Sequence, residues 1–371
     1  MAAVKSKSKR IFYFDALRVL AIFAVIACHA GGFFHHTAPS SLTYIFFQTN
    51  IWNWIVAEGA AMLKIGVALF LMLSGALSLG RDWDIKSFLK KRLPRIIKPF
   101  FFWGFIIGLG SIILILLYPS AMDFFELSSL SFQHILEFFY NIFLSETWMT
   151  IPYWFFWMIL GTYLFMPVLN KWLKNADLKE AEYFLIIWAI VCVFTYTFET
   201  PLPIDLKYFT GPIGYVVLGY YLRHTKRKLL NNKYLALSLT IGMLVLLLIS
   251  AYLSTTGLKL QSFDRYSILI LLEVTGIFLL FKNWGKLGIK SKFLSNKEGI
   301  FRKSVASIAK YSYGFYLIHM VILWSFMKLF YKFMIPAILI PISIIFAIAI
   351  SWLIMAVLNR VPYLNTVIGA K

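Results

Sequence analysis

Runs of about 18 or more apolar residues recur along almost the whole chain. Few folds can absorb them. In a bilayer, about 20 such residues wound into an α-helix cross the hydrocarbon with every backbone group paired inside the segment. Successive runs of this kind predict an all-α, polytopic membrane protein. Composition agrees, since 60% of the 371 residues are hydrophobic and only 14% are charged, where a soluble domain carries about a quarter charged. The 36 Phe and 12 Trp suit lipid-facing and interfacial positions.

Ten spans are predicted, over residues 11–34, 58–79, 97–118, 150–170, 183–200, 208–222, 234–255, 266–282, 311–331 and 334–358. Segment 42–57, with Tyr44, Phe46, Phe47, Trp52 and Trp54, is too short and polar for a span and reads as interfacial. The expected division is a basic N-terminus (1–10), one membrane domain (11–358) and a short tail (359–371). No segment is left for a soluble domain.

The net charge of +20 could suggest a nucleic-acid partner. Its distribution argues against one. Thirty of the 36 Lys and Arg fall in alternate connections, while 35–57 and 119–149 hold none. That asymmetry places the basic connections and both termini in the cytoplasm, with anionic headgroups as their neighbours. Cys28 and Cys192 both sit in apolar runs, so no disulfide framework is expected. Val25-Ile26-Ala27-Cys28 resembles a lipoprotein cleavage site, but Asp15 and Arg18 interrupt the apolar stretch that a signal peptide needs. Heavy use of Ile, Lys and Phe points to an AT-rich bacterial genome, hence a bacterial cell membrane.

An ionised group at membrane depth costs about 2.5–3.5 kcal/mol or more, so polar residues within spans are the informative ones. The first span carries Asp15, Arg18 and His29. Eleven residues separate Arg18 from His29, which puts them within about 20° of one helical face and about 16 Å apart along the axis. Asp15 and Arg18 are three apart and can form an ion pair. The plainer reading leaves Asp15 and Arg18 snorkelling at the interface and His29 as a packed, hydrogen-bonded histidine. No ligand set surrounds His29, so no metal is expected, and an imidazole suits proton abstraction from a hydroxyl.

Further along, Tyr316 and His319 are helical neighbours in Tyr311-Ser312-Tyr313-Gly314-Phe315-Tyr316-Leu317-Ile318-His319, and Gly314 permits another segment to approach closely. Plain interhelical hydrogen bonding is the alternative there. Lys91-Arg92-Leu93-Pro94-Arg95 precedes the third span, with Pro94 suited to a helix start. Its arginines can clamp a phosphate or merely mark topology. Ser74-Gly75 closes an apolar run and reads as backbone contact or a local break.

Arg18 with His29, Phe70-x-x-x-Ser74-Gly75, Arg92-x-x-Arg95 and Tyr311-Ser312-x-x-x-Tyr316-Leu317-x-His319 occur in the order found in the acyltransferase 3 family. The chain resembles that family over about residues 11–358. The resemblance implies a membrane-embedded O-acyltransferase that takes an acyl group, commonly acetyl, from cytoplasmic acyl-coenzyme A. It delivers that group to a hydroxyl of a surface glycan or lipid-linked sugar. By the same resemblance His29 looks like the base, with Arg18 and Asp15 its motif partners and His319 and Tyr316 assisting. Arg92 and Arg95 look like coenzyme A contacts, joined by Lys91 and Ser74.

Two departures stand out. Related members often have a histidine before the aromatic cluster that here reads Pro152-Tyr153-Trp154-Phe155-Phe156, which leaves its role vacant or with Tyr153. Larger relatives carry an extracytoplasmic hydrolase-like domain after the last span, whereas this sequence stops at Lys371 and reads as a stand-alone member. A covalent acyl-enzyme on Cys28 is disfavoured, because adjacent helical residues point about 100° apart. The rival from another class is an exporter or flippase of a polysaccharide or lipid-linked sugar. Ten spans with intramembrane charges fit it equally, but the two halves show no internal repeat of the kind transporters use.

Overall fold

The computed structural model describes residues 11–36, 51–199, 211–255, 264–283 and 299–370. The basic N-terminus 1–10, most of segment 42–57, the start of the expected span at 208 and the basic stretch 284–298 lie outside them. Everything regular among the described residues is helical. The main helices are α1 (Phe12–His36), α2 (Ile51–Ala61), α3 (Ile65–Ser78), α4 (Ile85–Leu117), α5 (Phe132–Leu144) and α6 (Trp154–Asn175). They continue as α7 (Leu178–Cys192), α8 (Pro212–His224), α9 (Lys233–Thr255), α10 (Ile268–Lys282), α11 (Ile300–Phe330) and α12 (Pro336–Leu358).

Seven stretches among the described residues are long and apolar enough to cross a membrane: 12–34, 58–78, 85–117, 148–175, 233–253, 300–330 and 336–358. Their outward faces carry the lipid-facing stripes that helical spacing requires. Leu237, Ile241, Val245 and Ile249 are exposed at four-residue steps on α9, as are Ile338, Ile342 and Phe346 on α12. An exposed apolar surface on this scale is tolerable only in lipid.

The other three expected spans appear as shorter helices, α7, α8 and α10, of 15, 13 and 15 residues. At 1.5 Å per residue α8 covers about 20 Å, short of the roughly 30 Å core. It is sheathed by protein instead: Tyr215, Val216 and Val217 are fully buried. Cations close the ends of this inner group. Arg223 donates to the carbonyl of Ala76 at the end of α3, and Lys282 Nζ donates to Leu222 O at the end of α8, 2.6 Å away. Both satisfy carbonyls that a helix C-terminus leaves without a partner.

Close approach is set by glycine. A Cβ on Gly75 of α3 would overlap the Val216 carbonyl of α8, and one on Gly219 of α8 would overlap the Met72 carbonyl. Ser74-Gly75 is therefore a backbone contact, and α3 runs through it unbroken. The expected helix start at Pro94 is corrected. Helix α4 begins at Ile85, nine residues earlier, with Asp84 accepting from Ser87 N at 2.9 Å. Pro94 lies inside the helix, where its missing N–H costs one ladder bond that the exposed basic turn around it tolerates.

Candidate active site

Helix α11 is the spine of the site. From its basic end upward it presents Lys310, Ser312, Tyr313, Tyr316, His319 and Trp324. Lys310 and His319, nine residues apart in the sequence, stand about 14 Å apart along the axis. Gly314 lets the chain beyond α12 fold back onto this helix, since a Cβ there would lie 2.6 Å from both Ile368 O and Met355 Cε. Ile368 is fully buried, and its carbonyl accepts from Trp103 Nε1 at 3.2 Å. The expected tail is thus part of the wall.

Two cavities flank the spine. The first, about 420 Å³, lies toward the basic end and is lined by Arg18, Ser74, Ser78, Arg92, Arg95 and Lys310, with Tyr313, Phe155 and Gly369. Arg18 is held by a 3.0 Å ion pair to buried Asp15. Arg92 donates to Ser78 Oγ at 2.8 Å. Ser74 turns its hydroxyl back to Phe70 O, 2.9 Å away. Lys310 donates to Asn359 Oδ1 at 3.2 Å. Four cations on one concave wall make an anion-attracting mouth.

The second cavity, about 540 Å³, opens toward the other end and is lined by Cys28, His29, Glu58, Lys64, Trp154 and Arg265, with Gly66 and Pro152. Tyr316 is the one lining residue that the two cavities share among the described residues. Its hydroxyl donates to the Pro152 carbonyl, and its ring packs 5.1 Å from that of Phe155. A side chain, a backbone carbonyl and an aromatic ring therefore form the partition.

His29 is half-buried at the second cavity, and its backbone carbonyl accepts from Trp324 Nε1 at 3.0 Å. The His319 ring lies 5.4 Å from it, centroid to centroid. His319 is fully buried with Nδ1 2.8 Å from Tyr316 O and 3.1 Å from Phe315 O. A carbonyl can only accept, so Nδ1 carries the proton and Nε2 a lone pair. Among the described residues that lone pair has no hydrogen-bond partner. His29 thus lines a cavity large enough for a sugar, while His319 lines neither cavity and stands behind His29 with an unused acceptor.

A family model described as an acyltransferase domain matches residues 11–356. The chain belongs to the acyltransferase 3 family. It is a multi-pass membrane acyltransferase. Searches of the curated proteins and of the solved structures give no match.

In this acyltransferase the residues expected from the sequence divide between the two cavities. Arg18, Arg92, Arg95 and Ser74 converge on the first, with Asp15 behind Arg18; His29 is at the second; Tyr316 is at both. Lys91 does not join them: it is exposed on α4 and lines neither cavity. Tyr153 does not stand in for the missing histidine, because its fully buried hydroxyl donates to Leu317 O at 3.3 Å and reaches neither cavity. Cys28, set aside on angular grounds, does line the His29 cavity. That cavity is broad enough to take in a wide sector of α1.

Sequence reasoning passed over Lys310, Lys64, Arg265 and Glu273. Lys310 directly precedes the Tyr311-Ser312 motif, Lys64 is a charge inside the expected span 58–79, and Arg265 shares its connection with one other basic residue, Lys259. Glu273 sits inside an apolar run of α10, 3% exposed, and its Oε2 has no hydrogen-bond partner among the described residues. Among the described residues no group of His, Cys, Asp or Glu could hold a metal ion.

Proposed function

We propose that this protein is an O-acyltransferase that moves an acyl group, acetyl in the simplest case, from cytoplasmic acyl-coenzyme A to a hydroxyl of a surface glycan or lipid-linked sugar. The observation that carries the reading is the pair of cavities meeting at Tyr316. One is ringed with cations fit for the phosphates of coenzyme A; the other holds an imidazole and an aromatic wall fit for a sugar. Donor and acceptor would enter from opposite ends. The Tyr316–Pro152 contact must open for the thioester to reach His29.

In this scheme Arg92, Arg95 and Lys310 hold the donor's phosphates, and Arg18, fixed by Asp15, holds the same mouth nearer the membrane centre. The acceptor oxygen attacks the thioester carbonyl while His29 takes its proton. The carbon–sulfur bond then breaks, the ester forms, and the proton passes from His29 to the departing thiolate. His319 is the positioning partner of His29, with its Nε2 lone pair available to the neighbouring imidazole. A closed partition also favours an enzyme over an exporter, which needs a passage for the whole sugar.

Purified protein supplied with radiolabelled acetyl-coenzyme A and a glycan extract tests this. His29→Ala is expected to lose at least about a hundredfold of transfer, the lower range of a general base, with unchanged expression and membrane insertion. Full activity in His29→Ala would remove His29 from the chemistry.

A further inference from the structure

We infer that the acceptor bound in the His29 cavity is anionic, bearing a phosphate or carboxylate close to the hydroxyl that is acylated, and that Arg265 receives that charge. This deepens the acyl-transfer reading and rests on it. The first observation concerns where cations are not expected. Only six of the 36 Lys and Arg lie outside the basic connections: Lys64, Lys207, Lys259, Arg265, Lys328 and Lys332. Topology is served by keeping that face free of them. Yet Lys64, within the apolar stretch 58–78, and Arg265, just before α10, line the same cavity as His29.

The second observation is how Arg265 is held. Its Cζ lies 3.9 Å over the Trp154 ring. Stacking of this kind fixes the guanidinium plane and leaves its N–H edge for a ligand. The adjacent Asp264 accepts from Tyr266 N at 2.8 Å and does not line the cavity. No described carboxylate comes within ion-pair distance of Arg265. Among the described lining residues Glu58 offsets one of the two cations, Lys64 and Arg265, and the balance stays positive even with His29 neutral. A neutral sugar has no use for that. An oxyanion does, because a preorganised guanidinium edge in a concave, partly desolvated site binds phosphate or carboxylate in a two-point fork.

The test uses the full chain in lipid nanodiscs, radiolabelled acetyl- and succinyl-coenzyme A as donors, and a glycan and glycolipid extract from cells lacking the protein as acceptor. Labelled product is fragmented and resolved by anion exchange, and tandem mass spectrometry tells a phosphate-bearing from a uronate-bearing unit. The label is expected on a fragment retained by the exchanger, with the acyl group on, or next to, the charged sugar. Arg265→Gln is expected to raise KM for the acceptor tenfold or more and to leave KM for acyl-coenzyme A unchanged, while Arg265→Lys recovers part of the loss. Label on an uncharged sugar with no charged neighbour overturns the inference, and so does an unchanged acceptor KM in a folded Arg265→Gln. The fragment analysis uses only wild-type protein, so it decides even where the variant fails to fold. Wild-type protein that transfers no label from either donor overturns the acyl-transfer reading itself.

Discussion

Gly66 offers a direct test of the packing that brings α1 to the second cavity. It lies in the first turn of α3, and a Cβ added there would stand 2.6 Å from Ala21 O, 2.6 Å from Val25 Cγ2 and 3.1 Å from Val25 N. A methyl carbon is not tolerated much inside about 3.2 Å of a carbonyl oxygen, so α1 and α3 must part by about half an ångström or more. Overpacking of this kind costs about 1–3 kcal/mol. Gly161 on α6 is the control, because a Cβ there meets nothing within 4 Å. Gly161→Ala should be neutral or stabilising by up to about 1 kcal/mol, through the chain entropy that glycine loses on folding. The assay is unfolding in mixed micelles titrated with dodecyl sulfate, with Gly66→Ala and Gly161→Ala compared side by side. Adding Val25→Ala to Gly66→Ala removes one of the clashing atoms but not the Ala21 carbonyl, so it should recover less than the whole loss. Equal stability in the two single variants, or complete rescue in the double one, would refute the reasoning.

Other outcomes follow from the same geometry. Arg92→Ala and Arg95→Ala should each raise KM for acyl-coenzyme A in a salt-sensitive way, while Lys91→Ala leaves it unchanged; initial rates at two ionic strengths separate them. Tyr316→Phe removes the hydroxyl that ties the partition to Pro152, so release of free coenzyme A thiol in the absence of acceptor should rise. Cys28→Ser should transfer at close to the wild-type rate, because the scheme needs no thiol ester on the protein; loss of a mass-detectable acyl adduct together with activity would reverse that. At the basic end, outside the expected spans, Glu182 accepts from Arg227 and from Tyr221 Oη at 2.6 Å. These partners, Arg227 foremost, pull its carboxyl from the ordinary 4.5 down to about 2. A depressed carboxyl stabilises the fold above its unfolded-state value and stops doing so as pH falls through the folded one. The stability difference between wild type and Glu182→Gln should therefore be constant at neutral pH and shrink between about 4.5 and about 2; thermal unfolding across that range reads it.

The helices were legible because apolar run length is a one-dimensional property, and so was the Asp15–Arg18 pair, since three-residue spacing alone brings two side chains together. The close approach at Gly314 followed in the same way. What covers it did not, because the partner is a backbone carbonyl at Ile368. The division into two cavities was hidden for a similar reason. It depends on the Pro152 carbonyl accepting from Tyr316, and a carbonyl carries no residue signature. Helical phase put Arg18 and His29 on one stripe, but whether a stripe faces one space or two is decided by α11 crossing it. The start of α4 is hidden because Pro94 is a conspicuous helix-start residue, whereas the Asp84 cap shows itself only through its bond to Ser87 N. Glu273 gives no such signal, because no charged residue lies three or four positions from it in the sequence.

The return of residues 359–370 onto α11, with Gly369 at the rim of the cation-lined cavity, bears on how the protein is handled. On the proposed reading, a purification handle or fluorescent fusion joined two residues after Gly369 would crowd the mouth through which the donor enters. Kinetics from such a fusion would read as poor donor affinity in a protein that is otherwise sound, and moving the handle to the opposite terminus should restore it.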